Sequence, residues 1–129
     1  MINAALLGAC GRMGSLIVET VTYFPDVKLV AAFDISNIGQ DVGEFTRVGN
    51  MGIKISDVRD LETVLKKNRV DVLIDFTAAM ATAINAPIAA RCGVNLIIGT
   101  TGLTTEQRAV IDEAIKENHV RAIISPIIP

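Results

Sequence analysis

The chain has 129 residues, 50% hydrophobic but only 4% aromatic, with a formal net charge of -2. Such a length gives one domain with a real core, and the balance of charge, with no clustered Lys/Arg stripe, excludes general attraction to nucleic acid. No apolar run approaches the roughly 18 residues that cross a bilayer, and two cysteines, Cys10 and Cys92, without a CxxC pair or a secretory leader fit a reducing cytoplasm.

The elements follow in order along the chain. Ile2 to Leu7 is a continuous apolar strand bounded by Gly8, and apolar residues at 13, 16, 17, 20/21 and 24 predict a helix that Pro25 ends. Val27 to Phe33 is a second buried strand, stopping at Asp34. Residues 35 to 52 lack periodicity and read as a long loop with a short helical turn at 41 to 45. A short strand near Lys54 to Ser56 precedes a helix from Val58 or Asp60 to Lys67, with Leu61, Val64 and Leu65 on its buried side. Val70 to Thr77 is a strand with a polar end, and Met80 to Arg91 is helical, although Pro87 should kink it or mark its proper start. Gly93 stops that helix, and Asn95 to Ile98 is a strand that enters the turn Gly99-Thr100-Thr101-Gly102. Thr104 with Gln107 forms a capping box for a helix reaching Asn118, and Arg121 to Ser125 is the last strand before Pro126-Ile127-Ile128-Pro129. Strands alternating with helices over short connections predict a parallel sheet with right-handed crossovers and helices on both faces.

The chemistry gathers at the first turn. Gly8, Gly11 and Gly14 are spaced G-x-x-G-x-x-G between a strand and a helix. That pattern turns the backbone sharply, admits a pyrophosphate with no Cβ in its way and packs the helix close to the sheet, while free N–H groups at the helix start meet the negative charge. Asp34 lies twenty positions after Gly14, where such folds carry an acid for the adenosine ribose; alone, it would read as a solvated turn residue. The carboxyl ends of parallel strands flank one crevice, so Asp75, Phe76 and Thr77 are also site candidates. For Asp75 a structural role in the strand-end turn is favoured over a general acid, since no proton-transfer partner is visible. Cys10 reads as a small residue tolerated by the loop, with an activated thiol as the alternative. Cys92 reads as a buried small hydrophobe, and His119 as a solvent-facing residue at a helix end.

Three motifs carry a family resemblance: Gly8-Ala9-Cys10-Gly11-Arg12-Met13-Gly14, Ile74-Asp75-Phe76-Thr77 and Gly99-Thr100-Thr101-Gly102. Together they resemble the amino-terminal domain of 4-hydroxy-tetrahydrodipicolinate reductases, over nearly the whole chain. The resemblance implies a Rossmann-type doubly wound parallel sheet as one domain over residues 1–129. It implies that Gly8, Ala9, Gly11, Arg12 and Met13 line a pyrophosphate and that Asp34 holds the ribose. Phe76, Thr77, Gly99, Thr101 and Ser125 would stand near the nicotinamide and its ribose, with Thr101 also near substrate. No metal is implied.

Ile35 occupies the position where members that use NADPH well carry a basic residue. NADH is therefore the expected preference, with NADPH possible through Arg12. The family continues into a second domain with a histidine-rich motif and a lysine that bind substrate and supply the proton, and its members assemble as homo-oligomers. On that basis no catalytic residue is expected among these 129, which should bind cofactor with poor turnover alone and self-associate weakly through Ile123 to Ile128. A stand-alone NAD(H)-sensing module is the alternative, while the GRMG and GTTG segments argue against an aspartate or homoserine dehydrogenase domain.

Overall fold

A computed structural model describes residues 1–125. Its strands are β1 (Ile2–Leu7), β2 (Val27–Asp34), β3 (Ile55–Asp57), β4 (Val72–Asp75), β5 (Asn95–Ile98) and β6 (Ala122–Ile124). The helices are α1 (Arg12–Val21), α2 (Val42–Phe45), α3 (Leu61–Lys67), α4 (Ala79–Arg91) and α5 (Thr105–Asn118), with a 3-10 turn at Val58–Asp60 leading into α3. The six strands form one sheet in the order β3-β2-β1-β4-β5-β6, and every pair is parallel. Chain direction across the sheet reverses beside β1: β2 and β3 lie on one flank, β4 to β6 on the other. That switch point is where an open parallel sheet leaves a crevice at its carboxyl edge.

Strand alternation divides the core in two. Ala5, Leu7, Ala31, Phe33, Leu73, Leu96 and Ile98 point to the face covered by α3, α4 and α5, where Leu61, Leu65, Ala86, Ala89 and Ile111 meet them. Leu6, Leu29, Ala32 and Ile55 point to the opposite face and pack with Val18 of α1 and Val42 of α2. Helices thus lie on both faces, as expected. The second face is covered unevenly. Ile74, Ile97 and Ile123 stand in register across β4, β5 and β6, yet Ile123 is 63% exposed and no described helix covers it.

Several boundaries shift from the sequence reading. α1 ends at Val21 rather than at Pro25, and Phe24 is exposed. Its buried face is also rotated by one position: Gly14 and Val18 are buried with Ile17 and Val21 beside them, whereas Leu16 is 56% exposed. The close approach of Gly14 to the loop decides this, since it turns the 14–18–21 stripe toward the sheet. β4 covers only the middle of the expected 70–77 span, so Phe76 and Thr77 lie in the turn beyond it. Pro87 does not begin α4. The helix runs from Ala79 through the proline, which is itself buried. Cys92 caps α4 half-buried, and burial raises its thiol pKa. Val64 is also only partly buried.

The capping box at Thr104 is present in full, with the Gln107 N–H donating to the Thr104 hydroxyl and the Thr104 N–H to Gln107 Oε1. His119 is exposed at the end of α5 with a left-handed φ of 54°. Pro126 to Pro129, and with them part of the expected self-association segment, lie outside the described residues. No described helix is long and apolar enough to cross a membrane, and the described residues hold no cluster of three His, Cys, Asp or Glu able to bind a metal.

Candidate functional site

The crevice is built from the ends of four strands, β1, β2, β4 and β5. Leaving β1, Gly8 takes a φ of +79°, a conformation that suits glycine, and the N–H groups of Gly8 and Ala9 both donate to the Phe33 carbonyl at 2.9 and 3.1 Å. The loop then folds back, with the Gly11 N–H donating to Gly8 O at 3.1 Å. A Cβ on Gly14 would sit 2.8 Å from the Gly8 carbonyl carbon and 2.9 Å from Ala9 Cα, so the start of α1 can press on the loop only as glycine.

Gly11 is different. It is the exposed N-cap of α1, supplies no side-chain cap, and a Cβ there would meet nothing closer than 3.5 Å. The helix start is thus open toward the crevice, with first-turn N–H groups and the dipole free for an anion. Arg12 and Met13 stand in that first turn, Arg12 exposed.

Asp34 closes one side. Its Oδ2 accepts the Cys10 N–H at 2.8 Å and its Oδ1 accepts the Ile35 N–H at 2.6 Å. One lone pair on each oxygen is used, which leaves both oxygens able to accept from hydroxyls. The same neighbourhood bears on Cys10: burial raises its thiol pKa, the Asn37 side chain works against that and the charge of Asp34 adds to it, which disfavours the thiolate.

The opposite wall comes from the ends of β4 and β5. Asp75 is 1% exposed and does not line the crevice, which corrects its standing as a site candidate. Its Oδ1 accepts both the N–H (2.9 Å) and the hydroxyl of Thr77, its carbonyl accepts the Gly99 N–H at 2.8 Å, and its Oδ2 has no partner among the described residues. Asp75 shapes the turn that presents Phe76 and Thr77. One edge of the Phe76 ring (Cδ1, Cε1, Cζ) lies against Gly99, where any Cβ would overlap it, and Thr77 Cγ2 comes within 2.8 Å of a Cβ placed on Gly8. The fold therefore brings Gly8, Asp34 and Thr77 onto one opening, with Phe76 packed on Gly99 beside it. Thr101 is exposed in the turn beyond Gly99, beside a cavity of about 500 Å³ lined by Thr100, Gly102, Leu103, Thr104 and Arg108. Ser125, at the far side of β5, is exposed and donates its N–H to Ile98 O at 2.9 Å.

One part of the crevice escaped the sequence reading. Between Asp34 and Thr77 lies an apolar slot of about 260 Å³, lined by Leu7, Gly8, Phe33, Ile35, Val58, Ala78, Ala81 and Asn85. Asn85 is among its lining residues and is 8% exposed. The signal was faint: Thr82 and Asn85, three residues apart in an alanine-rich helix, are polar where the pattern shows no amphipathic stripe.

A six-stranded parallel sheet in this order, with a glycine loop at its switch point and an acid ending β2, defines a dinucleotide-binding α/β domain of the Rossmann type. Residues 2–127 match the family described as dihydrodipicolinate reductase, N-terminus, and the chain belongs to that family. The 4-hydroxy-tetrahydrodipicolinate reductase of Methanosarcina mazei is 75% identical over 126 residues, which are 98% of this chain and 48% of that protein. That of Methanocaldococcus jannaschii is 52% identical over 97% of this chain and 47% of its own length. Among solved structures, dipicolinate-bound dihydrodipicolinate reductase from Paenisporosarcina sp. TG-14 superposes with a TM-score of 0.78 at 28% identity, over 98% of this chain and 47% of that one. A Rex-family repressor, RSP, solved with NAD+ and operator DNA, shares the fold alone (TM-score 0.65, 17% identity, 92% of this chain and 58% of that one). The chain spans about half the length of the curated relatives it matches. Family and fold together support binding of a nicotinamide dinucleotide.

Proposed function

We propose that this chain is the cofactor-binding half of a 4-hydroxy-tetrahydrodipicolinate reductase. The pyrophosphate lies on the open start of α1, against Gly8, Ala9, Gly11, Arg12 and Met13. Asp34 accepts from the adenosine ribose, and the apolar slot takes the adenine, with Asn85 offering its amide to the base edge. The nicotinamide and its ribose lie between Phe76, Thr77, Gly99 and Thr101, with Ser125 at the rim. Such a cofactor supplies hydride from its reduced nicotinamide. The protein's part is to hold that ring at the crevice mouth, with Thr101 on the side where substrate enters.

The observation that carries this reading is the tie between Asp34 and the glycine loop. The Cys10 N–H fixes the carboxylate beside the α1 N-terminus, one ribose away from a phosphate held there. NADH is the preferred form, because a 2′-phosphate would meet the Asp34 carboxylate, and the next residue, Ile35, is an aliphatic side chain 82% exposed. In this reading the groups that bind substrate and supply the proton belong to the remainder of the reductase, and turnover by these 129 residues alone is poor.

Calorimetric titration with NADH and with NADPH, on this chain and on Gly11→Val, tests the reading. The expected result is NADH binding tighter than NADPH and lost in Gly11→Val, whose side chain has room in the free protein and projects into the phosphate path. A folded chain that binds neither nucleotide overturns the reading.

A further inference from the structure

Two buried hydroxyls behind the crevice are not used by the contacts described above. Thr82, on α4, is 0% exposed and Thr100, after β5, is 2% exposed, with their Oγ1 atoms 2.7 Å apart. Neither lines the slot between Asp34 and Thr77. A buried hydroxyl in an aliphatic core is unfavourable without a partner, and a valine pair would fill the same space without that need.

What the pair does is mechanical. Thr100 stands between Gly99, whose N–H is bonded to Asp75 O at 2.8 Å, and the exposed Thr101. On its other side Thr82 Oγ1 lies 3.4 Å from Thr77 Oγ1, whose proton is committed to Asp75 Oδ1. Each threonine hydroxyl has a single proton, which gives the row one direction: Thr77 meets Thr82 only as an acceptor, so Thr82 donates to Thr77 and receives from Thr100. The row runs from the turn after β5, through the first turns of α4, to the turn after β4. It spans the two turns, after β4 and after β5, that together form the wall against which the nicotinamide lies.

We propose that Thr82 is a positioning residue for the nicotinamide half of the site: through Thr100 and Thr77 it holds the turns after β4 and β5 at one separation, and so fixes that wall before any dinucleotide arrives. The inference rests on the cofactor reading above. A preorganised wall spares the ligand the cost of ordering it, so its loosening weakens binding by the nicotinamide end and leaves the adenosine end alone.

The test compares NADH with ADP-ribose, which lacks the nicotinamide, by calorimetry on the wild-type chain, Thr82→Val, Thr82→Ser and the double variant Thr82→Val/Thr100→Val, with thermal denaturation of each. Thr82→Val should weaken NADH about five- to tenfold, leave ADP-ribose unchanged, and be rescued by Thr82→Ser. The double variant removes both buried hydroxyls and should regain the melting temperature lost in Thr82→Val without regaining NADH affinity. It thereby keeps the question answerable if Thr82→Val folds poorly. Unchanged NADH affinity in the double variant, or equal losses for NADH and ADP-ribose, overturns the proposal. Wild-type chain that binds neither ligand overturns the cofactor reading, and the role of Thr82 with it. NADH binding that is equal in wild type and the double variant removes only Thr82.

Discussion

The two halves of the crevice are held by different means. The glycine-loop half is built from main chain: Gly14 presses on Gly8, and the Cys10 and Ile35 N–H groups grip Asp34. The half formed by β4 and β5 is built from side chains: a carboxylate, three threonine hydroxyls and an aromatic ring on a glycine. A main-chain site is fixed by which residues lack a Cβ, and it fails sharply. A side-chain site is fixed by hydrogen bonds that can be removed singly, and it loosens by degrees.

Substitutions that separate the halves sharpen this contrast. The largest effect is expected at Gly14→Ala, where the new methyl collides with backbone that has nowhere to go. Unfolding in urea should show about 3 kcal/mol of destabilisation, the upper range for overpacking, together with loss of NADH and ADP-ribose binding alike. Gly99→Ala forces only the Phe76 ring aside, so NADH should weaken about tenfold, the worth of a lost ring position at roughly 1.4 kcal/mol, while ADP-ribose titrates as in wild type. A parallel loss of both ligands in Gly99→Ala would break the division into halves. Asp34→Ala removes a charged acceptor from the ribose, worth about 1–2 kcal/mol. NADH should fall by that amount and NADPH by much less, so the ratio of their dissociation constants narrows.

The smallest expected effect is one of pH and lies in the loop beyond Asp34. Burial raises the Asp41 pKa, but N–H groups from Met51, Glu44, Gly52 and Ile53 outweigh it and hold the carboxyl below its ordinary value. A lowered folded pKa means that this stabilisation is complete above the ordinary aspartate range and is lost as pH falls through the folded value. Limited proteolysis of residues 41–53 should therefore quicken in acid, and Asp41→Asn should remove that dependence. An unchanged acid response in Asp41→Asn would assign it to another group.

Much of the glycine-loop half was legible in the sequence, because its determinants are local. Glycine spacing, an acid twenty residues on and a strand ending between them need no knowledge of distant partners. The capping box of α5 was legible for the same reason. What failed was decided by tertiary contact. The buried face of α1 is set by Gly14 against Gly8, so an apolar count that favoured Leu16 and Phe24 chose the wrong stripe. In α4, alanines bury on more than one side and leave no periodicity to read, and Pro87 is accommodated within the continuous helix. The apolar slot between Asp34 and Thr77 and the Thr82 row both draw on that helix, and both went unseen for this reason.

The strand order has a consequence for how the chain assembles. β1 lies at the centre of the sheet, with β2 following it closely in sequence while β4 first appears at Val72. As the polypeptide leaves the ribosome, β1, β2 and β3 can pair early, and the other edge of β1 waits, apolar and unpaired, for β4. From then on the sheet grows by accretion at that single edge, β4 and then β5 and β6, each bringing its own covering helix on the same face. The switch point that makes the crevice is thus also the seam between an early-folding and a late-folding half. A long delay at the seam exposes a strand edge to other nascent chains.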